Sequence, residues 1–188
     1  MVNPLMNESD SDGVSAARTQ FQRDGFLVVR DLCPHDLLAR MRRCSERDLA
    51  AARAPVEYEA DLDYPGAPVG RDAPGGGTVR RLLDALGRDS AFGQWASSTA
   101  LIDRVRELLG VDAVRVVRAH HNCIMTKHPD YSSATGWHQD IRYWSFQRPE
   151  LINAWTALDV ESRDNGGMCL IPGSHQATFD ARAFDAQR

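Results

Sequence analysis

At 188 residues and 20.9 kDa the chain can bury one sizeable core, so a single domain is expected. Its 43% hydrophobic and 26% charged residues suit a globular protein, and a net charge of −4 argues against general nucleic-acid binding, which needs a basic face. No apolar run approaches the roughly 20 residues that span a bilayer, and the polar start MVNPLMNESDSDG lacks a signal-peptide core, so a cytoplasmic protein with no membrane partner is expected.

Residues 1–15 read as a disordered leader, followed by one domain over 16–188. In FQRDGFLVV, an Asp24-Gly25 turn precedes a short strand, Phe26 to Val29. CPHDLLARMRRCSERDLAAAR reads as a helix with Pro34 at its first helical position and Leu37, Leu38, Met41, Cys44 and Leu49 on roughly one face. The Pro- and Gly-rich stretch 64–77 is a loop, and its GGG lacks the preceding strand that a dinucleotide site requires. A second helical region covers Thr78 to Leu109. In its last part Ser98 is a candidate N-cap, Leu101, Ile102, Val105, Leu108 and Leu109 form the apolar stripe, and Gly110 is the stop.

Beyond Gly110 the character changes to β-branched and aromatic runs over 113–127, 136–144 and 151–160, with SRDNGG as a turn. Helical support over 16–110 followed by a sheet or barrel over 111–188 makes the fold α+β. The four cysteines form no CxxC pair, so free thiols are expected in place of a zinc knuckle or a redox pair. No phosphate loop and no nucleophile elbow is present.

The stretch GWHQDIRYW raises the functional question. On a strand, His138 and Asp140 would share one face about 7 Å apart at Cα, and Gln139 would point away from them. An imidazole and a carboxylate so placed can converge on one ion. With a second histidine from elsewhere they form the facial triad of non-haem Fe(II) oxygenases. The plain alternative is a His–Asp hydrogen bond at a strand edge.

The longer run decides between them. WHQD, an aromatic run, Ala154-Trp155-Thr156, a DNGG turn and LIPGSH occur in that order, and the whole resembles the centre of the phytanoyl-CoA dioxygenase family. FQRDGFLVVRDL resembles that family's opening strand. The resemblance implies a double-stranded β-helix (a jelly-roll, cupin-like barrel) with Fe(II) and 2-oxoglutarate as cofactors and O2 as co-substrate. The implied reaction couples decarboxylation of 2-oxoglutarate to succinate with hydroxylation of a C–H bond in a small-molecule substrate. It matches His138 and Asp140 to the metal ligands and Trp155 to a position beside 2-oxoglutarate, with Trp144 lining the same cavity. The strand before the pair carries co-substrate contacts in relatives. Alternation there puts His121, Cys123 and Met125 on one face, with His121 and Met125 the cofactor-binding candidates and Cys123 read as a buried thiol.

In the family a second histidine ligand and an arginine for 2-oxoglutarate lie well beyond the PGSH turn, whereas this sequence ends at Arg188. The expectation is therefore an incomplete barrel, weak Fe(II) binding and no turnover. A fragment of a longer enzyme, a partner that completes the barrel, or His175 acting as substitute ligand would each account for this. His120 and His128 are no better as substitutes. An open barrel edge invites self-association or a completing partner, and the rival reading is a non-catalytic interaction module that keeps part of the oxygenase fold. A cupin-type metal protein of another class would need more histidines close together than WHQD offers.

Overall fold

The computed structural model describes residues 15–119, 121–144, 146 and 150–177. Most of the expected leader, His120 and the last eleven residues of the domain lie outside them. Helix α1 (Ala16–Asp24) starts where the Ser15 hydroxyl accepts from Arg18 N and stops at Gly25, whose φ of 82° is the left-handed turn that glycine adopts without strain. Helix α2 (His35–Ala50) follows Pro34, which stands one position earlier than expected, as the cap.

The buried face of α2 runs Met41, Cys44 and Asp48, and Leu49 is exposed. A carboxylate occupies the core-facing turn because Arg88 meets it there. The Arg88 guanidinium donates from Nη1 to Asp48 Oδ2 (3.0 Å) and Arg53 O (3.0 Å), and from Nε to Leu83 O (2.8 Å). Burial acts to raise the Asp48 carboxyl, but the bonds from Arg88 and Arg47 outweigh it and hold the group below its ordinary range.

One sheet runs β1 (Val56–Tyr58), β2 (Val79–Leu83), β3 (Cys123–Met125), antiparallel throughout. The strand β2 lies where a helix is expected. Its two arginines favour helix as free side chains, but two neighbouring strands and a buried Leu82 opposite Ile124 decide the outcome. Three further helices follow: α3 (Ala85–Arg88), α4 (Ser90–Ala96) and α5 (Thr99–Leu109). Ser98 caps α5, accepting from Leu101 N, and Gly110 ends it at φ 68°. Met41, Leu82, Ala91, Phe92, Trp95 and Ile124 form the core between α2, α4 and the sheet.

Helices with a small antiparallel sheet bear out α+β. The double-stranded β-helix goes further than the observed architecture, because among the described residues there is one open three-stranded sheet. Phe26 to Val29, 113–119 and 151–160 form no strand, and β3 covers only three residues of 113–127. β-Branched residues make a strand only where a neighbour supplies ladder partners and cover. Here Val28, Val116 and Val160 stay exposed, Val160 at 78%. The 64–77 stretch is a loop as expected, tied down by Arg71 to Asp61 (2.7 and 2.8 Å) and by Ala134 N to Pro65 O (3.0 Å). All four cysteines are free.

Candidate metal-binding site

A buried ionic knot leads into the site. Glu59 and Arg80 are wholly buried. Glu59 Oε2 accepts from Arg80 Nη1 (3.1 Å), Ser133 N (3.2 Å) and Ser133 Oγ (2.5 Å), and Arg80 Nη2 donates to Thr135 Oγ1 (2.9 Å). Burial works to raise the Glu59 carboxyl, but the bonds from Ser133 and the Arg80 charge prevail and hold it below its usual value. Lys127 Nζ donates to Ser133 O (3.0 Å), and burial, assisted by Arg80, pushes its ammonium down. The chain is thus fastened at Ser133 and Thr135 immediately before it reaches Gly136.

The expected strand over 136–144 is absent. Gln139 is extended (φ −110°, ψ 127°), and a 3-10 turn starts at Asp140 and runs to Tyr143. The two side chains nevertheless converge, with His138 Nε2 3.3 Å from Asp140 Oδ1. Convergence thus comes from one extended residue leading into a tight turn, and a ladder is not needed. The ring is oriented by His138 Nδ1, 2.8 Å from Gly136 O. A carbonyl can only accept, so Nδ1 carries the proton and Nε2 faces the carboxylate. Asn153 Nδ2 donates to Asp140 Oδ2 (3.0 Å), and His121 Nδ1 stands 3.9 Å from the same oxygen.

This donor pair suits a divalent cation. Two donors at right angles and about 2.1 Å from one ion lie ~3.0 Å apart, close to the separation between His138 and Asp140. With Nδ1 turned to a carbonyl, Nε2 is left facing the carboxylate, where a cation or a proton can bridge the two. The fit extends to two donors. Among the described residues no group of three or more His, Cys, Asp and Glu side chains could hold a metal ion.

The remaining sequence candidates border the same wide concavity, which His121, Met125, His138, Asp140, Trp144 and Trp155 all line. His121 has a left-handed backbone (φ 44°), a costly conformation for a residue with a Cβ. Its ring meets Trp144 edge-on at 5.0 Å, and Trp144 meets Phe146 at 6.0 Å. Met125 Sδ accepts from Arg81 Nε (3.2 Å). Trp155 Nε1 donates to both oxygens of Glu161 (2.8 and 2.9 Å). Cys123, expected to be buried, is half-buried and borders the same concavity, and desolvation raises its thiol. His175, the candidate substitute ligand, is engaged elsewhere, its Nε2 lying 3.1 Å from Gln22 O.

Sequence reasoning missed Asn153 and Arg81. Asn153 stands in LINAW, where an amide between apolar neighbours was the available signal.

Comparison with known proteins agrees with the motif order. The family model described as Phytanoyl-CoA dioxygenase (PhyH) matches residues 21–188. The chain belongs to the phytanoyl-CoA dioxygenase family.

Relatives in this family include a protein named probable phytanoyl-CoA dioxygenase from Caenorhabditis elegans, 24% identical over 171 residues, with 86% of this chain and 53% of that protein covered. The peroxisomal phytanoyl-CoA dioxygenase of Homo sapiens is 26% identical over 166 residues, covering 86% of this chain and 47% of its own. An ectoine dioxygenase of Streptomyces avermitilis is 24% identical over 178 residues, covering 92% and 56%. The chain therefore spans about half the length of the curated relatives it matches. No solved structure matches it.

Proposed function

We propose that this chain carries the His–Asp half of a non-haem Fe(II)- and 2-oxoglutarate-dependent oxygenase site that hydroxylates a C–H bond of a small organic molecule. The observation that supports it best is the 3.3 Å approach of His138 Nε2 to Asp140 Oδ1 inside a family match that covers 21–188. His138 and Asp140 would hold the ion, which supplies O2 activation when 2-oxoglutarate is bound. The chain's own part is orientation. Gly136 O fixes the imidazole face, Asn153 steers one carboxylate oxygen, and the Glu59–Arg80–Ser133 knot fixes the backbone just upstream. His121, Met125, Trp144 and Trp155 form the wall against which 2-oxoglutarate would lie.

The test is retention of radiolabelled 2-oxoglutarate in anaerobic dialysis. Retention is expected only with Fe(II) present and is expected to vanish in His138→Ala. Equal retention with and without Fe(II) sinks the reading.

A second reading, an interaction module that keeps part of the fold, is favoured by the exposure of Trp137 (70%) and Val160 (78%). Such a chain would associate with a copy of itself or with a completing partner. A sedimentation coefficient that rises over a concentration series supports self-association, and a constant monomer value removes it.

No described helix is long and apolar enough to cross a membrane.

A further inference from the structure

Helix α1 ends with carbonyls that its own turns cannot satisfy. Phe21 O is met by Gly25 N (2.8 Å), and Gln22 O and Asp24 O are met from far along the chain. Gln22 O accepts from the side chains of His175 (3.1 Å) and Gln176 (3.1 Å), and Asp24 O accepts from Gly173 N (2.8 Å). The PGSH turn, with its 3-10 segment Ser174–Gln176, thus adds to the local Gly25 cap of α1. Gly25 is required for this twice over. Its φ is 82°, and a Cβ there would fall 2.3 Å from His175 Nδ1.

The same turn grips the metal-site segment from its other side. Gln139 Nε2 donates to Ser174 O (2.8 Å) and reaches Ala177 O (3.5 Å). Gln139 lies between His138 and Asp140 and is the extended residue from which the 3-10 turn departs. A tether on that middle side chain fixes the backbone that sets both flanking side-chain directions. We propose that Gln139 is a positioning residue, held by the 173–176 turn on the end of α1, and that this clamp keeps His138 and Asp140 converged.

The inference rests on the iron-site reading only in its metal arm, so the two can fail separately. The metal-free arm follows the histidine ring signals of the full chain by carbon–proton NMR, with the His138 signal assigned by its loss in His138→Ala. Gln139→Met keeps length and neutrality but removes the donor, and Gly25→Ala unseats His175. Both are expected to shift or split the His138 signal while His35 and His128 stay unchanged. Ser174→Ala keeps the accepting carbonyl and is expected to match the wild type. Should Gly25→Ala fail to fold, Gln139→Met decides alone. An unmoved His138 signal in Gln139→Met overturns the clamp.

The metal arm titrates cobalt(II) and follows its absorbance. The expected loss is roughly tenfold in affinity for Gln139→Met, the scale seen when a partner of a metal ligand is removed, with none for Ser174→Ala. Undiminished cobalt binding in Gln139→Met also overturns the clamp. If the wild type takes up no cobalt while the His138 signal still moves in the variants, the iron-site reading fails and the clamp stands.

Discussion

Glu59 shows how much one buried carboxylate can control. It compensates Arg80 and holds Ser133, five residues ahead of His138, with no exposure of its own. Glu59→Ala leaves a buried guanidinium without its counter-charge, and the expected cost is about 3–5 kcal/mol in the urea unfolding free energy. The pH dependence follows from the lowered Glu59 carboxyl. A depressed native value makes its contribution fully present above the ordinary glutamate value of about 4.3 and progressively lost as pH falls through the lower native one. The stability gap between wild type and Glu59→Ala should therefore narrow below about pH 4. A gap unchanged down to acid unfolding would contradict this account. None of it was legible in the sequence, where Glu59 and Arg80 look like ordinary surface charges. Residues 59, 80 and 133 come together only through the sheet.

Among the elements, those set by local chemistry were the easiest to read. The Ser98 cap and Gly110 stop of α5 follow from side-chain acceptors and left-handed turns that involve a few neighbouring residues. Ser98→Ala should cost about 1 kcal/mol in thermal or urea unfolding, and a stability equal to wild type would show that the cap contributes nothing. The DNGG turn was equally readable. Gly166 has φ 85°, and a Cβ there would lie 2.9 Å from Lys127 Cγ. Gly166→Ala is accordingly expected to destabilise by about 1–2 kcal/mol, measured in the same way. Strands fared worse. Val79–Leu83 reads as helix by its residues and is a strand by its neighbours, whereas 151–160 reads as strand and forms none. A helix satisfies its own backbone, but a strand needs partners that no short window of sequence contains.

At the scale of the whole molecule, helices and a three-stranded sheet enclose one core and bring the His–Asp pair to a wide concavity. The pair itself was legible because motif order carries more information than spacing. The expected strand geometry behind it was not, since a 3-10 turn can converge the same two groups. With two donors among the described residues, this chain is expected to release no succinate from 2-oxoglutarate in air with Fe(II). Succinate release that His138→Ala abolishes would refute that expectation. The most direct check of the central claim is anaerobic equilibrium dialysis of ferrous ion against the wild type, His138→Ala and Asp140→Asn. Weak, saturable uptake of one ion per chain that either substitution removes is the expected result, and uptake unaffected by both would contradict the account.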